Sequence, residues 1–497
     1  MSFKVNSAYY SDGYKIGHKK MLAKGTTKLY GTWIPRSLKH APKNVNKILS
    51  IGQQLVAKWL NDEWTENFFN LDVEEAIKFG TDMSQYLGME YDASHFVELH
   101  QLGYLPIKIK SLPEGIETNP NIPHMTFINT HDNFAWLTLY LETIISSLAW
   151  KPATSATIAL QYKRNAVEWV RKTDPANMFL TEYMCHDFSA RGLSPWDMIS
   201  SGLGHAASNR GSDTLVVIPA SRYFYNEPND VVAINSVNAS EHSVSTTKIF
   251  TVGEQQMIAD WLIDFSNGIL SIVSDTFDLW KLITEYLPAN KEAILNRNGK
   301  LVIRPDSGDP VDIICGNKGF HYELGADHQN YEAINKGVIE LLWDIFGGTI
   351  NEQGYKVLDS HIGAIYGDSI TLERQVEIYK RLEAKGFAST NIVLGVGSYT
   401  YQLNTRDTFG YAAKGAWFEA NGIGYDIYKD PVTDDGTKKS LKGLTRVDYN
   451  EFGEIVLFDQ QTPEQEATGL LQTIFENGKF YNQTTFTEIR KRIADSI

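Results

Sequence analysis

Apolar residues recur at helical spacing in two stretches of the first third of the chain, Ile48 to Trp59 and Phe134 to Leu148. In the second, Leu137, Tyr140, Leu141, Ile144, Ile145 and Leu148 share one broad face, the pattern of a helix packed on a core. From about residue 180 the rhythm changes to short β-branched runs that end in polar or glycine-rich turns. These are TLVVI at 214–218, VVAINSV at 231–237, ILSIVSD at 269–275, KLVIRPD at 300–306, HIGAIYGD at 361–368 and NIVLGVG at 391–397. Helical stretches often follow them, so the pattern predicts an α/β chain with a (β/α) barrel-like catalytic domain over residues 181–406. Residues 1–180 read as mainly helical, and the rhythm is lost again over 407–497. These two parts are expected to pack together as a second, mixed α+β domain. The polar stretch after residue 307 and the helical NKGVIELLWDIFG read as an excursion outside the main sheet.

Composition narrows the picture. A chain of 497 residues exceeds one ordinary core. Its 46 Lys+Arg against 60 Asp+Glu give a formal charge of −14, which disfavours nucleic acid and anionic membrane as partners. An anionic small molecule stays possible wherever a pocket concentrates cations. Two distant cysteines, Cys185 and Cys315, support neither a disulfide framework nor a cysteine zinc site, and a reduced, cytoplasmic setting is expected. No apolar run reaches the roughly 20 residues a membrane helix needs.

Several short strings can carry chemistry. In HDFSARG, residues 186–192, Phe188 can stack on a flat ring and Arg191 can bind a phosphate; a buried Phe beside a surface Arg is the plainer reading. GLGHAAS at 202–208 imitates a dinucleotide fingerprint, but SPWDMISS before it reads as helix, not strand. Close helix packing through Gly202, Gly204 and Ala206 is expected instead. His242, after a strand-like run and beside Glu241, fits an acid, base or nucleophile and equally a hydrogen-bonded structural histidine. In IRPDSGDP the strand delivers Arg304 and Asp306 to one side, either as a surface ion pair or as a joint grip on a polar substrate. YGDS at 366–369 and GVGS at 395–398 put glycine just after apolar strands, where backbone N–H groups can approach an anion.

Taken in order, HDFxxRG, GSDT, EHS, SDTFD, IRPDSGDP, GDS and NGIGYDIYKDPV resemble the nicotinamide phosphoribosyltransferases, within the type II phosphoribosyltransferase family. The likeness runs from SDGYKIGH near the N-terminus to NGKF and FTEIRK near the C-terminus. It implies an irregular α/β barrel joined to a second domain, in a homodimer whose two active sites are shared across the interface. The implied reaction converts nicotinamide and phosphoribosyl pyrophosphate to nicotinamide mononucleotide and pyrophosphate.

The resemblance also implies site residues. Phe188, with Tyr14 of the other subunit, would sandwich the pyridine ring; Asp213 would accept from the amide, and Arg304, Ser236 and Ser274 would lie near it. Arg191, Asp306, Gly367, Asp368 and Gly397 match positions that hold the ribose and its phosphate. Asp12, Arg36, Arg406, Lys414 and Lys429 match phosphate-side residues of the other subunit. His242 matches a histidine phosphorylated when ATP hydrolysis is coupled to the reaction, with Glu241 and Asp278 as its supports, and Mg2+ accompanies pyrophosphate and ATP. Two departures stand out. Ser398 and Tyr399 replace a longer glycine run, and the lysine of the DPV loop aligns with Lys438, Lys439 or Lys442. A nicotinate phosphoribosyltransferase is the neighbouring alternative, disfavoured by like-charge repulsion at Asp213. A non-catalytic nucleotide-binding scaffold is a further one, although it has no need to keep His242, Asp306, Arg304 and Arg191 together.

Overall fold

Four of the apolar runs form adjacent parallel strands, Asn267–Val273, Asn298–Arg304, Ile362–Tyr366 and Ile392–Val396. The computed structural model describes residues 4–317, 330–367, 369–429 and 441–497. Cys185–Asp187 pairs with the last of these strands, and Asn238–Ala239 with the first, giving a six-stranded parallel sheet. Two isolated parallel bridges, Asp187 with Ser212 and Gly211 with Asn235, carry the pairing on from its Cys185 edge. Asn235 lies three residues before Asn238, so the curved sheet is joined end to end through single residue pairs, as an irregular barrel.

Alternation along the strands assigns the two faces. Leu270, Ile272, Leu301, Ile303, Ile362, Ala364, Ile392 and Leu394 are buried in one apolar cluster. The intervening positions, among them His186, Val302, Arg304, Gly363 and Gly395, belong to the opposite face. Two of the strand expectations change. TLVVI is not a strand: its valine opens the Val217–Tyr225 helix, in which Val217, Ala220, Phe224 and Tyr225 are buried at helical spacing. The 231–237 run contributes only the Asn235 bridge before the two-residue strand. The three-residue strand Cys185–Asp187 is too short to leave a periodic signal. GLGHAAS lies at the end of the Pro195–Ala206 helix, where a Cβ on Gly202 would meet Val217 at 2.6 Å.

Residues 1–157, 219–231 and 404–496 form one compact unit, and 158–218 with 232–403 form the other. The first unit holds a seven-stranded sheet in the order Ile423–Asp426, Ala412–Ala420, Thr26–Ile34, Met125–Asn129, Ile107–Ser111, Gln472–Glu476, Lys479–Phe480. Its pairings are all antiparallel. The N-terminal region holds more helix than strand, and it also supplies three strands of this sheet. Its strand signal is masked because the last six residues of Thr26–Ile34 are all buried, which removes the alternation of a half-exposed strand. The apolar stretch from Ile48 splits at Gly52, whose φ of 99° separates a short strand from the Gln53–Trp64 helix. The helix expected to Leu148 runs over Ala135–Thr173. Among the described residues no helix is long and apolar enough to cross a membrane.

Two histidines in this first unit are buried as neutral rings. His124, 0% exposed, bonds Thr118 at 2.8 Å, and burial pushes its pKa down to about 3. His95 meets the Tyr91 hydroxyl at 3.3 Å and is likewise pushed down to about 3, first by burial and then by Lys19. An unfolded histidine titrates near 6.5, so between about pH 6.5 and 3 the unfolded chain binds protons that the native one refuses. Stability from these rings is complete above about pH 6.5 and falls by up to roughly 1.4 kcal/mol per pH unit for each as the medium is acidified. Urea midpoints are expected to drop between pH 7 and pH 5, and less so in His124→Asn; midpoints equal at both pH values would contradict this.

Candidate active site

All the parallel strands point the same way, so their carboxyl ends collect polar residues on one side of the second unit. The first group surrounds Asp213, which follows the 211–212 bridge. His186 Nε2 lies 3.0 Å from Asp213 Oδ1, and the Ser236 hydroxyl donates to the same oxygen. Among the described residues no donor falls on Oδ2. Burial pushes the Asp213 carboxyl up, but bonds from His186 and Ser236 and the charges of His186 and Arg304 outweigh it and hold it below its usual range. The Phe188 ring stands 4.5 Å from the His186 ring, centroid to centroid and tilted by 31°. It lies over Gly395, where any Cβ would approach the ring to 2.6 Å. Glycine there makes room for the aromatic face.

Arg304 occupies the centre. One guanidinium nitrogen donates to the Ser240 carbonyl, and its buried Nε has no partner among the described residues. Burial lowers its pKa, while the carboxylates of Asp306, Asp213 and Asp275 pull the other way and Arg191 reinforces burial. The Arg304 backbone N–H donates to Ser274 Oγ at 3.2 Å, and that hydroxyl donates in turn to the Ile272 carbonyl at 2.9 Å, so Ser274 is turned to the backbone. A Cβ on Gly367 would reach Asp306 Oδ1 at 2.9 Å and Arg304 Cδ at 3.7 Å, so the glycine keeps this corner open. The 3-10 turn Ala190–Gly192 carries exposed Arg191 and packs Gly192 against Ser398, next to Gly397. Asp368, Lys438 and Lys439 lie outside the described residues. Lys442 stands 4.5 Å over the Tyr428 ring.

His242 opens the His242–Val252 helix, half exposed. Its carboxylate is neither Glu241 nor Asp278, as the resemblance implied, but Asp275, whose Oδ1 is 3.1 Å from Nε2. Asp278 instead caps the following helix, accepting from Trp280 N at 3.0 Å and Lys281 N at 3.1 Å. Glu241 precedes the His242 helix without a side-chain cap bond. The second oxygen of Asp275 accepts the Asp306 backbone N–H at 2.8 Å, so one carboxylate joins His242 to the Arg304–Asp306 turn. Asp275 is visible in the sequence as a strand-end acid; its pairing with a residue 33 positions away follows only from the parallel neighbours Asn238–Ala239 and Asn267–Val273.

The remaining candidates belong to the first unit. Lys414 is half buried, which lowers its pKa; Glu142 opposes this, while Lys429, Arg36 and Lys15 add to it. Arg36 is lowered by burial and by Arg406, and its Nε donates to the Gly410 carbonyl at 2.9 Å. Arg36, Arg406, Lys414 and Lys429 thus form a cationic cluster in an acidic chain. Asp12 accepts the Thr143 hydroxyl at 2.6 Å. Tyr14 is 68% exposed.

The model of the nicotinate phosphoribosyltransferase (NAPRTase) family matches residues 183–479. The chain is 43% identical to a nicotinamide phosphoribosyltransferase of Acinetobacter baylyi, over 100% of its own length and 99% of that protein's. It is 32% identical to a nicotinamide phosphoribosyltransferase of Mycoplasma pneumoniae, over 87% and 93%. In structure it is similar to a nicotinate-nucleotide pyrophosphorylase from Pyrococcus furiosus, with TM-score 0.58 at 15% identity, covering 100% of this chain and 98% of that one. It is also similar to human nicotinic acid phosphoribosyltransferase, with TM-score 0.54 at 13% identity, covering 98% and 93%.

The 2.6 Å approach at Gly395 makes a prediction. Gly395→Ala should displace the Phe188 ring and weaken binding of a pyridine carboxamide at least tenfold, about 1.4 kcal/mol, by titration calorimetry. Parent-like affinity would show that the ring does not form the binding face.

Proposed function

The chain belongs to the nicotinate phosphoribosyltransferase family, and we propose that it transfers the phosphoribosyl group of phosphoribosyl pyrophosphate to nicotinamide, as a transferase of NAD biosynthesis. The observation that carries the choice of base is Asp213, held ionised by donors on Oδ1 with Oδ2 left to accept an amide N–H. A charge-assisted bond of that kind contributes about 1.5 to 3 kcal/mol. A nicotinate carboxylate at about 4 Å would instead meet repulsion of roughly 4 kcal/mol at an effective dielectric near 20. Arg304 does not offset this, because Asp306, Asp213 and Asp275 already surround it.

The reaction breaks the bond from ribose C1 to the pyrophosphate oxygen and forms one to the pyridine nitrogen. The neutral nitrogen carries no proton to remove, so no general base is required. Positive charge grows on the sugar as the leaving group departs, and the Asp306 carboxylate beside Gly367 is the group suited to stabilise it. Phe188 holds the ring in line. Mg2+ would neutralise polyphosphate charge; the hard carboxylate oxygens of Asp306 fit such an ion, and a described cluster of three or more His, Cys, Asp or Glu is not required, since phosphate oxygens supply the other ligands.

His242 is proposed to accept the γ-phosphoryl group of ATP. With Nε2–H donated to Asp275, Nδ1 is the nitrogen that attacks: the bond from the γ-phosphorus to the bridging oxygen breaks, the N–P bond forms, and ADP leaves. Asp275 stabilises the cationic ring, and the N-terminus of an 11-residue helix favours the added negative charge. A homodimer is also proposed. Phe250 on that helix and Phe277, whose rings lie 6.2 Å apart, are 76% and 62% exposed, an apolar pair that a second copy would cover. The cationic cluster of Arg36, Arg406, Lys414 and Lys429 would then serve the phosphates of a site shared between copies. A cytoplasmic location suits Cys185 and Cys315, which are free and buried.

One assay tests the chemistry: initial rates with nicotinamide and with nicotinate, each with and without ATP. The parent should favour nicotinamide by tenfold or more and Asp213→Asn should shrink that ratio; a parent faster with nicotinate would refute the choice of base. His242→Ala should lose the response to ATP and keep the basal transfer, and an unaltered response would remove the phosphohistidine. Light scattering should give twice the mass of one chain; the mass of a single chain would refute the dimer.

A further inference from the structure

The HDFSARG string contains an acid that no role above uses. Asp187 is 0% exposed, between the ring-bearing His186 and Phe188. Its Oδ1 accepts the Ser189 backbone N–H at 2.9 Å, and its Oδ2 accepts the hydroxyls of Thr214 at 2.7 Å and Ser212 at 3.2 Å. Its backbone completes the set: Asp187 N–H donates to the Gly211 carbonyl, and Asp213 N–H donates to the Asp187 carbonyl, both at 3.0 Å. Thr214 N–H in turn donates to Ser212 Oγ at 3.0 Å. One residue thereby grips every position from Gly211 to Thr214, with Asp213 between the two hydroxyls, and also the amide that follows Phe188.

Only single bridges join this part of the sheet; on the far side the segment is held by Ser212 N–H to the Asn235 carbonyl at 3.1 Å and by the His205 ring at the Gly211 carbonyl, so on the Phe188 side its register rests on Asp187. Asp187 with Ser212 is one bridge and Gly211 with Asn235 the next, and Ser236, which donates to Asp213, follows directly. The Thr214 methyl is boxed in as well: a Cβ on Gly202 would stand 3.0 Å from Thr214 Cγ2. A buried carboxylate takes three donors on two oxygens, whereas an amide of the same shape would turn an N–H₂ toward one of them.

We propose that Asp187 is a positioning residue that sets the choice of base: its carboxylate locks the Ser212–Thr214 segment so that Asp213 faces the pyridine carboxamide lying against Phe188. The side chain itself touches no substrate. The idea rests on the reading of Asp213 given above, and it extends that reading from the residue meeting the amide to the device that holds it in register.

The test uses the full-length protein and steady-state kinetics with nicotinamide and nicotinate. Asp187→Asn should raise KM for nicotinamide about tenfold and lower the nicotinamide to nicotinate ratio of kcat/KM by about the same factor, with KM for phosphoribosyl pyrophosphate within about twofold of the parent. Thr214→Val, which removes the closest hydroxyl at nearly constant shape, should shift the ratio severalfold in the same direction, and Thr214→Ser should restore it. A ratio that stays at the parent value in folded Thr214→Val and Asp187→Asn overturns the proposal, as does an equal fall for both bases that tracks the loss of folded protein. If Asp187→Asn does not fold, the Thr214 pair decides. Asp213→Asn run alongside separates the two ideas: an unchanged ratio there sinks the reading of Asp213 itself, while a lowered ratio there with unchanged ratios at positions 187 and 214 sinks only the role of Asp187.

Discussion

A curved parallel sheet closes only if every strand finds two neighbours, and here the last joints are single residue pairs, Asp187 with Ser212 and Gly211 with Asn235. The rest of the site depends on that closure. Long strands such as Asn267–Val273 and Asn298–Arg304 hold their register through seven paired positions, but the 211–214 segment has almost no ladder of its own. Side chains and glycine do the work that a ladder does elsewhere. Asp187 grips the segment through its carboxylate, and Gly211 allows His186 to lie close, since a Cβ there would stand 3.0 Å from Nδ1.

Parallel direction then makes one side of the barrel polar. Helices cover the outward face with Leu, Ile and Val, so charged groups gather where the strands end and the helices have not begun. Arg304 is the pivot of that gathering, and its burial is tolerable because three carboxylates lie around it and the Ser240 carbonyl accepts from it. Asp275 extends the network to His242, so that the histidine and the Asp306 turn share one anchor.

Electrostatics also explain how a chain of formal charge −14 can be suited to polyanions. In the first unit burial and the nearby charges of Lys429, Arg36 and Lys15 lower the pKa of Lys414, with Glu142 opposing, while burial and Arg406 lower that of Arg36. Cations brought that close repel, and an anion that enters relieves the repulsion. Net charge governs approach from a distance, whereas the local cluster governs what is held.

Much of this was legible in the residues. Four buried parallel strands announced themselves as β-branched runs with polar ends, and the helix through Gly202 was recognisable because no strand precedes it. The ordered motif set pointed to the family, and with it to Phe188, Asp213, Arg304 and His242. Other parts were not legible, for identifiable reasons. Thr26–Ile34 lacks alternation because both its faces are covered, Cys185–Asp187 is too short to show a period, and TLVVI begins a helix whose burial pattern outweighs the strand preference of its valines. The partner of His242 was likewise hidden, since Glu241 and Asp278 are nearer or equally acidic, and only adjacent parallel strands bring Asp275 to the ring. Sequence by itself determined which residue types stand at strand ends, because periodicity and turn chemistry are local. Tertiary structure decided which of them meet, because pairing between residues as distant in sequence as Cys185 and Leu394 depends on a register that no local pattern encodes.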